Sequence, residues 1–493
     1  MSIDRRELLR GASAAGFGAG LAAIVAPRAL RADTSPARRR LAIPSIESGR
    51  RVANGLEYEL ELQSGRTEFL PGLQTPTMGV NGAFLGPAVR CRAGDKVTMK
   101  VKNSLNVAST LHWHGLHVPA KADGGPHQVV APGQVWSPSF EIRQKAGLFW
   151  YHSHTMHRTG EQVNAGLAGL ILVEDEESRA LGLPSEYGVD DVPLVIQDRR
   201  FRRDGRFDYM SSMPDMMMGF KGDTILVNGT VDAELTVAKR RTRFRLLNGS
   251  NSRIYNIGRS DGRALVQIAS DGSLLEKPVQ RRTVRLSPGE RAEVLLDMEP
   301  DSTVALVSTP DRGAGRGGGM MMQMMGNDEE LEILRVRAGK LEASAPTLPS
   351  RLIDVPSWDP HKVDRRRTFT LEMGMMGMMG SGMGRGMMGR GGMGGMGMTI
   401  NGRAMDMQRI DERVPLGAIE IWTIRNATPL SHPFHIHDIQ FRILDRDGVP
   451  AGAHEQGLKD TVLVDPGESV SVITEFADYA DPDHPYMYHC HIL

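Results

Sequence analysis

The chain ends in His489-Cys490-His491-Ile492-Leu493, and the tripeptide in this stretch is the most informative part of the sequence. Successive side chains of a β-strand point to opposite faces, so Cys490 would face one way and both histidines the other. A thiolate suits copper, and imidazole suits several transition metals. The stretch therefore predicts a strand that joins one metal ion to a second metal centre. A chance His-Cys-His is the alternative for the motif alone.

Three further histidine clusters strengthen this interpretation. They are His112-Trp113-His114, His152-Ser153-His154 and His432-Pro433-Phe434-His435-Ile436-His437. Each contains a pair two residues apart, which a strand presents on one face. A single pair could be a surface accident, but four in one chain indicate a shared metal site. No histidine lies between His157 and His361, so the middle of the chain is predicted to be a spacer without a metal site.

Short β-rich runs and turn dipeptides dominate the rest of the sequence, which predicts an all-β protein. Two markers recur three times in the same order. An Asn-Gly turn is followed by a strand ending in asparagine, and a Pro-Gly turn follows later. The turns are Asn81-Gly82, Asn228-Gly229 and Asn401-Gly402, the strand ends are Asn103, Asn248 and Asn426, and the later turns are Pro132-Gly133, Pro288-Gly289 and Pro466-Gly467. The repeats predict three consecutive β-sandwich domains over residues 45–175, 185–340 and 365–493.

The first residues have the features of a targeting segment. Arg5-Arg6 precedes a weakly apolar, Gly/Ala-rich stretch, which is typical of a twin-arginine signal peptide over residues 1–32. An ordinary secretory signal or a basic tail is the alternative. We expect export to the periplasm by the twin-arginine translocation machinery. The whole chain has zero formal net charge, and its body lacks a long apolar run, so we expect no nucleic-acid partner and no stable membrane anchor. We also expect a monomer.

Methionine and glycine alternate through residues 373–407, a composition that builds neither a helix nor a packed strand. Thioether sulfur is a soft ligand that selects Cu(I). We therefore expect this insert to gather Cu(I), and the candidate ligands are Met373, Met375, Met376, Met378 and Met379. The alternative is a low-complexity loop with no task.

Taken together, these residues resemble the multicopper oxidase family, and in particular the bacterial copper-efflux oxidases and laccases. The surrounding sequence agrees with that branch at Leu111-His112-Trp113-His114-Gly115-Leu116, Asp123-Gly124-Gly125-Pro126 and Gly166-Leu167-Ala168-Gly169-Leu170. The resemblance covers the chain after the signal segment. It implies cupredoxin-like Greek-key sandwiches and four copper ions per chain.

The resemblance also implies a role for each cluster residue. Type 1 copper would take His432 and Cys490, and the type 2 ion would take His112 and His435. The type 3 pair would take His114, His152, His154, His437, His489 and His491. Asp123 would be an acid that relays protons, although a plain turn residue in Asp-Gly-Gly is the alternative. The family pattern adds a histidine and a methionine after the last motif, so we expect the protein to continue beyond Leu493.

The function implied is one-electron oxidation of Cu(I), with phenols as side substrates, coupled to reduction of dioxygen to water in periplasmic copper tolerance. Three alternatives stay open. The first is a laccase or bilirubin-oxidase-like enzyme with an organic main substrate. The second is a non-enzymatic copper-storage protein, and the third is the family's copper-free cell-division relative, against which the histidine clusters argue. A two-domain nitrite-reductase-type enzyme fits the three repeats less well.

Overall fold

The computed structural model describes residues 38–311, 329–342, 345, 347–374 and 397–493. Strands and turns make up most of these residues. The helices among them are short: α1 (Thr159–Ala165), α2 (Glu176–Arg179) and α3 (Met213–Met218). Within these ranges no helix has the length and apolar character needed to cross a membrane. The signal segment and most of the methionine insert lie outside the described residues.

The first third of the chain forms a sandwich of two sheets. Its strands are β2 (Ile46–Glu47), β3 (Arg50–Val52), β4 (Gly55–Leu70), β5 (Leu73–Val80), β6 (Ala88–Arg92), β7 (Lys96–Asn103), β8 (His112–His114), β9 (Val135–Trp136), β10 (Ser139–Glu141), β11 (Gly147–His152) and β12 (Ala168–Glu174). The strand that precedes them in the chain, β1 (Arg39–Arg40), pairs outside this sandwich. One sheet has the order β10-β7-β4-β3, with β5 beside β4 and β9 beside β7, and the other has the order β2-β6-β12-β11-β8. Alternate residues of β4, such as Tyr58, Leu60 and Leu62, point into the core between them.

The middle sandwich follows the same plan. Its strands are β13 (Asp191–Arg199), β14 (Thr224–Val227), β15 (Thr230–Val231), β16 (Ala233–Val237), β17 (Arg241–Asn248), β18 (Tyr255–Arg259), β19 (Leu265–Ala269), β20 (Leu274–Arg281), β21 (Thr283–Leu286), β22 (Arg291–Asp297), β23 (Thr303–Thr309) and β24 (Leu331–Ala338). The sheets have the orders β1-β16-β24-β23-β18-β21 and β15-β14-β13-β17-β22-β19-β20. The early strand β1 therefore belongs to this sandwich, where it runs parallel to β16.

The third sandwich carries the last two histidine motifs. Its strands are β25 (Arg365–Gly374), β26 (Gly397–Ile400), β27 (Ile419–Asn426), β28 (His432–Ile436), β29 (Arg442–Arg446), β30 (Val449–Pro450), β31 (Thr461–Val464), β32 (Ser469–Glu475) and β33 (Tyr488–Cys490). The larger sheet has the order β26-β25-β27-β32-β29-β30, and the smaller one has the order β31-β28-β33. The prediction of an all-β chain with three consecutive sandwiches is confirmed.

The recurring asparagines have the same structural task in each sandwich. Each Asn-Gly asparagine has a positive φ, at 54°, 50° and 52° for Asn81, Asn228 and Asn401. Its side-chain oxygen accepts a hydrogen bond from the backbone of a preceding strand, at Glu61, Val195 and Thr370 respectively. The second set, Asn103, Asn248 and Asn426, each donate to two backbone carbonyls and accept from the N–H two residues on. The repeat in the sequence thus reflects one local structure built three times.

Candidate metal centre

The histidine motifs lie at adjoining strand ends of the first and third sandwiches. In the first, His112 pairs across the sheet with His152. In the third, His435 pairs with His489. The histidines just beyond these strands, such as His437 and His491, complete the arrangement. Side chains from the two sandwiches therefore face one buried space.

Cys490 and its two neighbours contact different groups. Cys490 Sγ lies 3.2 Å from His432 Nδ1, while His489 Nε2 lies 3.1 Å from His154 Nε2 and 3.0 Å from His437 Nε2. His491 is fully buried and packs edge-on against His114 and His152. Cys490 therefore forms a two-residue site with His432, whereas its neighbours His489 and His491 belong to a cluster of eight histidines.

The eight histidines form three adjoining sets. His154, His437 and His489 place one ring nitrogen each within 4.8 Å of one another. His114 Nδ1 lies 3.4 Å from His152 Nε2, with His491 beside both rings. The remaining two rings, His112 and His435, have centroids 5.9 Å apart. The sets overlap in space, since a ring nitrogen of His112 also lies within 4.8 Å of nitrogens of His114 and His152, and of His435 and His437. The cluster therefore has enough nitrogen donors for more than one metal ion.

The ring nitrogens on the outside of the cluster are held by hydrogen-bond acceptors. This fixes the tautomer and the ring orientation, as in other metal sites. The outer contacts are His112 Nδ1 to Asp123 O (2.8 Å), His114 Nε2 to Asp460 Oδ1 (2.9 Å), His152 Nδ1 to Ser153 O (2.8 Å), His435 Nδ1 to Asp460 O (2.8 Å), His437 Nδ1 to Asp123 Oδ2 (2.8 Å) and His489 Nδ1 to Cys490 O (2.9 Å). The opposite nitrogen of each of these rings must then carry a lone pair.

These lone pairs face one another across the cluster. His437 Nε2 and His489 Nε2 are 3.0 Å apart, and both protons are already used on the outer side. Two acceptors at this distance repel unless a cation lies between them. The buried nitrogens His112 Nε2 and His435 Nε2, and both nitrogens of His491, have no hydrogen-bond partner among the described residues. The donor set therefore fits bound copper, which accepts neutral imidazole.

Burial keeps these imidazoles neutral. It lowers the pKa of His114, His152, His154, His435 and His489 well below the ordinary value, and that of His491 to about 3. The neutral form is the one that binds a metal. At the second site, burial lowers the pKa of His432 to about 4 and raises that of the Cys490 thiol to about 12. A thiolate at neutral pH would therefore require the charge of a bound metal.

Asp123 lies in a turn and also beside the histidine cluster. It follows a 3-10 turn at Ala120–Ala122, so it is a turn residue. It is also buried, and its carboxylate contacts His437 and lies 3.3 Å from His112 Nδ1. Burial raises the pKa of Asp123, but the two histidines outweigh burial and hold the pKa well below its usual range. Asp123 therefore holds two histidines of the cluster.

Sequence reasoning missed several polar side chains around the histidines. Asp460 contacts His114, Thr428 Oγ1 lies 2.7 Å from His432 Nε2, and Arg291 of the middle sandwich binds Asp460. A lone Asp, Thr or Arg has no spacing signal of its own. The available signal was that Asp460 directly precedes, and Arg291 begins, a strand whose residues are mostly buried.

Methionines lie around the Cys490 site. Met398, Met405, Met407 and Met487 line a cavity of about 550 Å³ together with His432 and Cys490. Of the predicted Cu(I) ligands, Met373 lies in β25, where it is partly buried and pairs with Met398. The other four, Met375, Met376, Met378 and Met379, lie outside the described residues.

Comparison with known proteins agrees with this geometry. Two family models described as multicopper oxidase match residues 61–178 and 380–493. The multicopper oxidase mco of Staphylococcus aureus is 33% identical over 468 residues, which are 94% of this chain and 91% of that protein. The cell division protein FtsP of Edwardsiella tarda is 36% identical over 496 residues, covering 99% and 96%.

A solved structure gives the same result. The laccase-like multicopper oxidase CueO of Ochrobactrum sp., with oxidase activity towards lignin model compounds and lignosulfonate, superposes with a TM-score of 0.80 at 35% identity, covering 92% of this chain and 96% of that one. The chain therefore belongs to the multicopper oxidase family. It is an oxidoreductase with a copper cofactor, and its sandwiches are cupredoxin-like, as the sequence predicted.

Proposed function

We propose that the chain is a cuprous oxidase. It would take one electron from each of four Cu(I) ions and reduce dioxygen: four Cu(I), one O2 and four protons give four Cu(II) and two waters. The observation that carries this proposal is the group of methionines, Met398, Met405, Met407 and Met487, around the cavity that reaches Cys490 and His432. Soft thioethers favour Cu(I) over hard cations.

The sets of nitrogen atoms support the copper sites that the family resemblance implies. His432 and Cys490 would hold the type 1 ion, and His112 and His435 the type 2 ion. The type 3 pair would take His114, His152 and His491 on one ion and His154, His437 and His489 on the other. Bound copper supplies the one-electron chemistry at these positions.

The protein supplies the route between the two sites. Cys490 is bonded directly to His489 and His491, and the carbonyl of Cys490 accepts a hydrogen bond from His489 Nδ1 at 2.9 Å. The donor-side ligand and two of the cluster ligands are thus consecutive residues of the chain. Asp123 would hold His437 and His112 in orientation and would pass protons toward the cluster.

We further propose export to the periplasm by the twin-arginine route and a role there in copper tolerance, with phenols as side substrates. The twin arginines Arg5 and Arg6 support the route. Transport of a folded chain suits a protein that acquires copper first. The segment over residues 373–407 would collect Cu(I) near the type 1 site and limit access of bulky organic reductants.

Two other functions have some support. An organic main substrate is favoured by the similarity to the laccase-like enzyme from Ochrobactrum. A cell-division role is favoured by the similarity to FtsP. The intact set of buried histidines supports the oxidase over a role that needs no copper.

Oxygen uptake tests the proposal. The purified, copper-loaded full-length protein should consume one O2 for every four Cu(I), and replacing residues 375–396 by a Gly/Ser segment of equal length should slow this about 10-fold. Phenol oxidation by the replaced protein should stay equal or rise. Phenol oxidation without Cu(I) oxidation would identify a laccase. Absence of O2 uptake with either reductant in a protein that binds copper would indicate storage, and a protein that binds no copper would indicate the cell-division role.

A further inference from the structure

Asp460 holds histidines of two different metal-binding sets. Its carboxylate Oδ1 lies 2.9 Å from His114 Nε2, and its backbone carbonyl accepts from His435 Nδ1 at 2.8 Å. The side chain is fully buried in the third sandwich, next to β31. A carboxylate that accepts from the outer nitrogen of a ligand imidazole fixes the ring and increases the basicity of its inner nitrogen. The orientation of Asp460 therefore decides the orientation of His114.

Arg291 of the middle sandwich fixes Asp460 in turn. The fully buried guanidinium donates twice to the carboxylate, Nη1 to Oδ1 at 2.8 Å and Nη2 to Oδ2 at 2.6 Å. Its other N–H groups donate to the carbonyls of Leu148, Gly289 and Asp271, each at 3.0 Å. A guanidinium has five N–H donors, and all five are used here. These five contacts hold the ion pair between Arg291 and Asp460 in a single geometry.

The space around this pair is closed. A Cβ atom on Gly115 would lie 2.4 Å from Asp460 Oδ2 and 2.9 Å from Arg291 Nη2. A Cβ atom on Gly289 would lie 3.3 Å from both His114 and His491. Both glycines also have positive φ, at 86° and 85°, which favours glycine. The backbone of the middle sandwich thus approaches the histidine cluster directly.

Charges of alternating sign anchor the arginine. Asp271 Oδ1 accepts from the Arg291 backbone N–H at 2.7 Å, and Lys459 Nζ lies 2.9 Å from Asp271 and 3.0 Å from Glu290. Lys459 directly precedes Asp460 in the third sandwich. The middle and third sandwiches are therefore joined here by ion pairs in both directions, from Arg291 to Asp460 and from Lys459 to Asp271 and Glu290. A buried ion pair contributes little to net stability, but removing one partner is costly.

We propose that Arg291 is a positioning residue for the copper cluster, acting through Asp460 on His114. The middle sandwich, which contains no histidine and was expected to be a spacer, would therefore set the geometry of one type 3 ligand. All three sandwiches would contribute to one site: His114 from the first, Arg291 from the middle and Asp460 from the third. The inference rests on the proposed copper ligands and is independent of the identity of the reductant.

The test measures copper retention together with folding stability. Arg291→Met removes the donors while keeping a long side chain. Arg245→Met is the matched control, because Arg245 is also buried in the middle sandwich and binds two carboxylates, Asp191 and Glu293, but neither carboxylate binds a cluster histidine as Asp460 does. In competition with a copper chelator, Arg291→Met should bind copper about 10-fold more weakly, as for other partners of metal ligands, whereas Arg245→Met should bind as the parent protein does. Thermal unfolding of the copper-free variants measures the general cost of each substitution.

Three further variants complete the test. Asp460→Asn keeps an acceptor for His114 and should lose less copper affinity than Asp460→Leu. The double variant with Arg291→Met and Asp460→Leu should regain thermal stability, because neither charge is left alone, yet should keep the weak copper binding. The proposal would be overturned if the double variant recovered copper binding together with stability. It would also be overturned if the Arg245 and Arg291 variants lost equal amounts of copper affinity. If Arg291→Met fails to fold, Asp460→Asn and Asp460→Leu decide the matter.

Discussion

The histidine cluster and the surroundings of Cys490 differ in access and in order. Seven of the eight cluster histidines are less than 8% exposed, and most outer ring nitrogens are tied to a carbonyl or carboxylate. The Cys490 site opens on a cavity where Met398 and Met405 are 42% and 51% exposed, and two of the cluster histidines, His437 and His489, also line this cavity. Reduction of dioxygen needs fixed ligands shielded from side reactions, while electron entry needs a surface that a reductant can reach. The histidine cluster is therefore suited to dioxygen reduction and the Cys490 region to electron entry. Substitutions in either region test this division.

The largest expected effect follows from breaking the link between the regions. Cys490→Ser replaces the soft sulfur by a hydroxyl, which is a poor ligand for copper. We expect loss of the intense blue absorption and of all oxidase turnover, with the copper bound by the buried histidines retained. Absorption spectra, copper content and O2 uptake measure these three quantities. Cys91→Ala is the control, because Cys91 is a buried free cysteine in β6 and should leave all three unchanged. Turnover by Cys490→Ser would show that electrons enter elsewhere.

The second test concerns the burial of the histidines. An unfolded histidine has a pKa of about 6.5, whereas in the folded copper-free chain burial holds the pKa of His432 at about 4 and that of His491 at about 3. Between pH 6.5 and 4 the unfolded chain binds protons that the folded chain does not, so stability falls as the pH falls. We expect a loss of several kcal/mol between pH 7 and pH 4.5, measured by urea unfolding.

Copper should suppress this acid sensitivity, because a metal-bound nitrogen cannot accept a proton until the metal leaves. His491→Gln should flatten the profile by at most about 1.4 kcal/mol per pH unit, the contribution of a single group. A copper-free protein whose stability is constant from pH 7 to pH 4.5 would contradict the buried, neutral cluster.

A smaller effect is expected at the open region. Met398→Leu combined with Met405→Leu removes two exposed thioethers at nearly constant volume. We expect kcat/KM for Cu(I) to fall about 10-fold, or about 1.4 kcal/mol, with phenol oxidation unchanged. Met213→Leu with Met216→Leu is the matched control, because these methionines are similarly exposed, at 58% and 61%, but do not line the cavity. Equal losses in both pairs would mean that the position of the thioether is unimportant.

The smallest effect concerns His117, which lies outside the histidine cluster and contacts Asp438 and Asp478 of the third sandwich. Burial lowers its pKa, but Asp438 and Asp478 outweigh burial and raise the pKa to about 9. The protonated form is favoured in the folded chain, so its stabilisation is complete below the unfolded pKa of about 6.5 and is lost as the pH rises through 9. His117→Gln should cost about 1 kcal/mol at pH 6 and almost nothing at pH 10, by urea unfolding. An equal cost at both pH values would show that His117 is neutral.

The sequence was informative where residues near one another in the chain act together. The i,i+2 histidines and the alternation around Cys490 follow from the period of a strand, so their common location could be predicted. The two recurring asparagines of each repeat predicted the three sandwiches for the same reason, since each asparagine controls a local turn. The contacts of His114 could not be predicted, because Asp460 and Arg291 come from other sandwiches and no local pattern records which distant carboxylate meets which imidazole.

The same limit applies to the edge of the middle sandwich. No pattern in the sequence indicated that β1, which precedes the first sandwich in the chain, would join the middle one, because two residues give too short a run to reveal a partner. The methionine composition gave a chemical preference, but it did not predict that Met398 and Met405 would line a cavity with Cys490. Long-range pairings and the arrangement of side chains at the contacts between sandwiches depend on the complete fold.

The position of β1 has a consequence for how the chain can fold. Arg39 and Arg40 pair with Ala233 and Glu234, so the outer edge of the middle sandwich is closed by residues that are synthesised before the first sandwich begins. Contacts between residues so far apart in sequence are made late and slowly, since a long loop must close first. The middle sandwich is therefore complete only when the chain's beginning returns to it, after the whole first sandwich has been made. A fragment that begins after residue 40 would lack this edge strand and leave the backbone of β16 open to pairing with another chain.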